Sequence, residues 1–142
     1  MCIFCDIIAG KIPASVVYED THTLAFMDLR QANPGHVLIV PKIHVEKITD
    51  CPLDIAAALL PVVVKVAQAV QQAFNPDGLS ITQANGAAAM QEVPHIHIHV
   101  IPRYFHDGVI RFYTKGAPDI TPRTSLNAWG ERIRLAMPED SG

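Results

Sequence analysis

Residues 95–101 read His-Ile-His-Ile-His-Val-Ile, three imidazoles separated by single apolar residues. Side chains on a β-strand point alternately to opposite faces. As a strand, this run sets His95, His97 and His99 on one face, about 6–7 Å apart in sequence order. Ile96, Ile98 and Val100 then turn toward a core. The β-branched residues favour a strand, and on a helix the three rings would fan around the axis. Three imidazoles in a row can bind a metal, move protons, or place one nitrogen as a nucleophile against phosphorus. A polar strand face that is merely rich in histidine is the inert alternative. A chelate built on all three needs a further ligand, and the nearest downstream candidates, His106 and Asp107, lie past Pro102 in an expected loop.

The elements that must hold these residues in place follow from spacing. A short helical turn is predicted over Cys2–Ala9, with Gly10 as a stop. Strands are predicted over Ser15–Glu19, Thr23–Met27 and His36–Val40, the last preceded by the strong turn signal Gln31-Ala32-Asn33-Pro34-Gly35. From Leu53 to Phe74, Ala56, Leu59, Leu60, Val63, Ala67, Val70 and Phe74 recur at helical spacing, with Thr49 and Asp50 as caps. Pro61 projects onto the polar face of that helix, beside Asp54, Lys65, Gln68 and Gln72, and predicts a kink or a break. Asn75-Pro76-Asp77-Gly78 ends the helix, Leu79–Ala84 reads as a strand, and 85–92 as a loop leading into a histidine strand that runs to Arg103. A final helix is predicted over Leu126–Met137, capped by Thr124 or Ser125. The pattern is α+β: an antiparallel sheet of about five strands, a central helix and terminal helices.

A second apolar stripe on the central helix (Ile55, Val62, Val66, Ala69, Ala73) lies beside the first. Together they are wider than the roughly 100° stripe of a simple surface helix, which predicts a two-fold homodimer. The chain of 142 residues is read as one domain. Its net charge of −3, with Lys and Arg scattered, carries no nucleic-acid stripe or membrane anchor. The longest uncharged apolar stretch, 55–64, is half a membrane span. The N-terminus lacks the regions of a signal peptide, and three cysteines make an odd count for a disulfide scaffold. A cytoplasmic protein is expected.

The run His95-Ile96-His97-Ile98-His99-Val100-Ile101 matches His-φ-His-φ-His-φ-φ, where φ is apolar, and so resembles the signature of the histidine triad, or HIT, family. The likeness extends to Phe4-Cys5-Asp6-Ile7-Ile8, to Ala25-Phe26-Met27-Asp28, to Pro34–Lys42 with His44, to Asn85-Gly86 and Gln91-Glu92-Val93, and to Pro102-Arg103. It covers residues 2–105; residues 106–142 are less informative. The resemblance implies a dimer that binds purine nucleotide conjugates and cleaves them at the α-phosphate, or an adaptor that binds purine nucleotides with vestigial catalysis. It makes His97 the nucleophile, His99 a hydrogen-bond donor to a phosphate oxygen and His95 an orienting residue. Asp28 would accept from the ribose hydroxyls, and Asn85, Gly86, Gln91 and Glu92 would line the substrate. Two positions depart from the family pattern: Met90 stands where most relatives have glycine, and Glu92 where the Hint branch has serine. His22, His36 and His106 are left without a role.

Cys2-x-x-Cys5 is a half-site for zinc, completed if two histidines approach it. The resemblance supplies them, since zinc-carrying bacterial members have ligands matching Cys2, Cys5, His44 and His95. Such a zinc would be structural, clipping the N-terminal segment to the sheet.

Overall fold

Consecutive apolar residues give the central strands of the sheet two buried faces. The computed structural model describes residues 2–110 and 112–139. Its five-stranded sheet is antiparallel throughout, in the order β1-β2-β3-β5-β4. The strands are β1 (Val16–Glu19), β2 (Thr23–Met27), β3 (Val37–Pro41), β4 (Gly78–Thr82) and β5 (Ile98–Arg103). One face carries Ala25, Val37, Ile39 and Val100, which pack on Leu59, Val62, Val63, Val66 and Val70 of α2 (Leu53–Phe74). The other carries Leu24, Phe26, Leu38 and Val40, which enclose Phe4 of the six-residue helix α1 (Ile3–Ile8). Cover on both faces explains why β2 and β3 read as continuous apolar runs. Each of the buried Val, Leu, Ile and Phe side chains contributes about 1.5–3 kcal/mol.

The chain forms two compact units, divided between Val109 and Ile110. The second holds α3 (Arg123–Ala136), which follows Pro122 as its N-cap, so that Thr124 and Ser125 lie inside its first turn instead of capping it. Its apolar residues Leu126, Trp129 and Ile133 are exposed.

Three further expectations change. Thr49 and Asp50 fall in a separate turn of 3₁₀ helix, Ile48–Asp50, and α2 starts behind Pro52 without a side-chain cap. Pro61 leaves α2 continuous; it and Ala57 are exposed, so the carbonyl that loses its N–H partner faces water. The two stripes on α2 are also redrawn. Val62 and Val66 belong to the core, while Leu60 and Phe74 are exposed. At 22 residues α2 is long and apolar enough to cross a membrane, but its inner face is core of the first unit.

The turn before β3 depends on Gly35. Its φ is +106°, and a Cβ there would lie 2.8 Å from the Phe74 ring. Gly35→Ala is therefore expected to lose about 1–3 kcal/mol, read as a lower midpoint in urea at unchanged slope.

Candidate active site and metal centre

Register places the chemistry. Phe26 pairs with Leu38, and Leu38 with His99, so these three share one face of the sheet. His36 lies two residues before Leu38 and is thus the diagonal neighbour of His99 on that face. Asp28, just past β2, donates its N–H to the His36 carbonyl at 3.1 Å. Asp28, His36 and His99 converge accordingly: the two rings bond at 2.8 Å (Nε2 to Nδ1), with Asp28 Oδ2 3.4 Å from His36 Nε2 and 3.9 Å from His99 Nδ1. His36 was not assigned a role by sequence, yet it is buried inside this cluster. The signal that finds it is the pairing of β3 with β5, which no local pattern reveals.

Hydrogen-bond partners fix the tautomers along this chain. The Ala32 N–H donates to His36 Nδ1 at 3.1 Å, so the His36 proton sits on Nε2 and is donated to His99 Nδ1. His99 then carries its own proton on Nε2, as a free donor. Burial, with repulsion from His97 and His36, holds the His99 pKa down at about 4 against the pull of Asp28. Burial likewise pushes His36 down, opposed by Asp28. His99 is thus a neutral donor at neutral pH. The 2.8 Å nitrogen-to-nitrogen separation is that of a hydrogen bond, closer than two nitrogens on one metal ion.

The three histidines do not form a uniform row. The sequence predicts a strand through all of them, but β5 starts at Ile98, because the β3 ladder ends at the Ile39–Ile98 pair and Ile96 instead donates to the Val45 carbonyl at 2.8 Å. His97 and His99 keep adjacent rings, 5.0 Å between centroids. His97 Nδ1 donates to the His95 carbonyl at 2.8 Å, which leaves its lone pair on Nε2. His95 turns its own ring the other way and is fully buried.

A cleft of about 460 Å³ opens beside these rings. It is lined by Ile3, Phe4 and Ile7 of α1, by Phe26, Leu38 and Leu29, and by Asp28, His97, His99, Met90 and Glu92. Asn85, Gly86 and Gln91 are not in this lining. Their polar groups build the loop: Gln91 accepts from the Gly86 N–H at 2.7 Å and donates to the carbonyls of Glu46 and Val93, while Asn85 accepts from the Ile48 N–H at 2.7 Å and exchanges bonds with Gln83. Met90 has φ +69°, in the left-handed region. Glycine adopts this conformation without cost, whereas a side chain there costs about 1–2 kcal/mol, which accounts physically for glycine at this point in the family pattern.

Behind His95, a second group converges. The ligand atoms of Cys2, Cys5, His44 and His95 all lie within 4.8 Å of one another. Cys2 Sγ is 3.4 Å from His95 Nδ1, and Cys5 Sγ is 3.3 Å from His44 Nδ1 and 3.6 Å from His95 Nδ1. A tetrahedral ion with ordinary zinc–sulfur and zinc–nitrogen bonds separates sulfur from nitrogen by about 3.6 Å, so the donor set fits zinc. The tautomer agrees. His95 Nε2 donates to the Pro41 carbonyl at 2.8 Å, leaving the Nδ1 lone pair directed at the thiols. Burial and the adjacent Cys2 push the Cys5 thiol up, so the metal must displace a firmly held proton.

Similarity to known proteins agrees with this geometry. The family model for the HIT domain matches residues 9–106, and the chain belongs to that family. The adenosine 5'-monophosphoramidase of Schizosaccharomyces pombe is 38% identical over 102 residues, 72% of this chain and 74% of that protein. A HIT family protein from Bacillus subtilis superposes with a TM-score of 0.91 at 37% identity, over 98% of this chain and 99% of that one. A zinc-bound histidine triad protein from Mycobacterium smegmatis superposes at 0.72 with 35% identity, over 96% and 97%.

Proposed function

We propose that this chain hydrolyses or transfers the nucleotidyl group of purine nucleotide conjugates, with His97 as the nucleophile. One observation carries the reading. The His95 carbonyl holds a proton of His97 on Nδ1, so Nε2 is the ring nitrogen left to act in a cleft that also presents Asp28 and the donor of His99. In this scheme the apolar walls take the base and Asp28 accepts from the ribose hydroxyls. The His97 Nε2 lone pair forms a bond to the α-phosphorus while the leaving group departs with the electron pair of the broken bond and takes a proton from solvent. Water then attacks phosphorus, the imidazole leaves with the electron pair of the phosphorus–nitrogen bond, and the proton of the water passes to solvent, so one difficult displacement becomes two easier ones. The His99 donor binds a non-bridging phosphate oxygen as charge builds on it.

Zinc held by Cys2, Cys5, His44 and His95 supplies a structural crosslink, and no reaction step passes through it. The amidase activity named for the fission yeast relative supports a conjugate with a phosphorus–nitrogen bond. Adenosine 5'-phosphoramidate is the first substrate to try, with release of AMP as the readout. No release of AMP or GMP from a panel of phosphoramidates, acyl adenylates and dinucleoside polyphosphates removes the reading.

The proposed assembly is a homodimer through the outward side of α2. Leu53 and Leu60 are 79% and 63% exposed and Val64 49%, and with exposed Ala57 they repeat at helical spacing as one apolar stripe. An isologous contact buries such a stripe against its own copy. Light scattering is expected to give twice the chain mass, and Leu60→Glu half of that. A monomer for the unsubstituted chain at micromolar concentration removes the dimer.

A further inference from the structure

The metal ligands and the cleft share one structural element. Cys2 and Cys5 flank Phe4, and Ile3, Phe4 and Ile7 of the same helix line the cleft. The Phe4 ring packs edge-on against both His95, a member of the metal group, and His97, with centroids 5.9 and 5.1 Å apart. It also meets Phe26, a further lining residue, at 5.5 Å. A six-residue helix has no stability of its own. Its position is set by Phe4 in the core and by the approach of Cys2 and Cys5 to His95 and His44.

We propose that metal binding and nucleotide binding are thermodynamically linked through α1, with Phe4 as the coupling residue; this rests on the reading of the cleft as the nucleotide site. Whichever ligand binds first bears the cost of ordering Cys2–Ile8. The second meets a helix already in place and binds more tightly. The linkage is reciprocal by necessity, so nucleotide tightens metal by the factor by which metal tightens nucleotide.

The test is equilibrium competition of a chromophoric chelator for zinc on the purified protein, with and without saturating AMP, alongside calorimetry of AMP binding to the zinc-loaded chain. AMP is expected to tighten zinc by about 5–50-fold, and Phe4→Leu to reduce that factor below about twofold while zinc still binds. The sign is diagnostic, since free AMP competing for the metal would weaken apparent zinc affinity. AMP that binds in calorimetry but leaves zinc affinity unchanged overturns the linkage and leaves the cleft reading standing. AMP that does not bind overturns both. A factor preserved in Phe4→Leu overturns the assignment to Phe4. The primary comparison is made on the unsubstituted chain, so it stands even where Phe4→Leu folds poorly.

Discussion

His97→Asn is expected to abolish turnover, by about 10⁴-fold or more, while affinity for AMP changes little. The asymmetry follows from where the residue acts. His97 is held by its own neighbour's carbonyl at 2.8 Å, and its Nε2 contributes only when phosphorus is attacked, so its loss falls on the chemical step. A trapped intermediate tests the same point. Quenching the reaction in denaturant and examining peptides by mass spectrometry is expected to show a nucleotidyl increment on the peptide containing residue 97. An adduct elsewhere, or retained turnover in His97→Asn, removes His97 from the role.

The neighbouring rings grade the effect. His99→Asn is expected to lower the rate by about 10²–10³-fold through loss of a donor to the charged transition state. His36→Ala is expected to act in the same direction without touching substrate. It leaves His99 Nδ1 without the 2.8 Å bond that fixes its tautomer, so the donor on Nε2 is no longer enforced. His36→Gln, which can still donate, is expected to recover part of the rate.

The second large effect is expected on metal removal. Metal analysis of protein prepared without chelator is expected to give one zinc per chain. At free zinc a thousandfold above its dissociation constant, the ion stabilises the fold by about 4 kcal/mol. For a chain of this size that is about 8–16 °C in melting temperature. Cys5→Ser is expected to lose most of this, because a serine hydroxyl replaces a soft thiolate. Zinc displaces a proton from each thiol, so affinity falls as pH drops, by up to about tenfold per unit for each thiol that stays protonated in the free protein. The raised Cys5 thiol extends this dependence to higher pH. Sub-stoichiometric zinc that added metal cannot restore, with an unchanged melting temperature, removes the metal from the account.

Much of the fold was written locally. The bounds of β2 and α2 follow from apolar spacing and flanking turn residues, and both are observed at Thr23–Met27 and Leu53–Phe74. Short-range physics suffices there, since side-chain periodicity and turn chemistry act over a few residues. Where the same reasoning missed, a distant partner decided. Thr49 and Asp50 were available as caps, but Asn85 holds the Ile48 N–H at 2.7 Å and that segment forms its own turn. Val62 and Val66 were placed toward a partner chain, but the sheet is broad enough to bury them.

The site divides in the same way. The sequence by itself determined the reactive types and their alternation: His97 and His99 two residues apart, and the thiol pair Cys2-x-x-Cys5. It could not say which way each ring turns, because an imidazole's tautomer is set by whatever its other nitrogen touches. Tertiary structure decided that His95 faces the thiols, that His97 is held by a carbonyl, and that His36, 63 residues before His99, fixes the proton of its partner. These are consequences of strand register and burial, and register is a property of paired strands that neither strand carries alone.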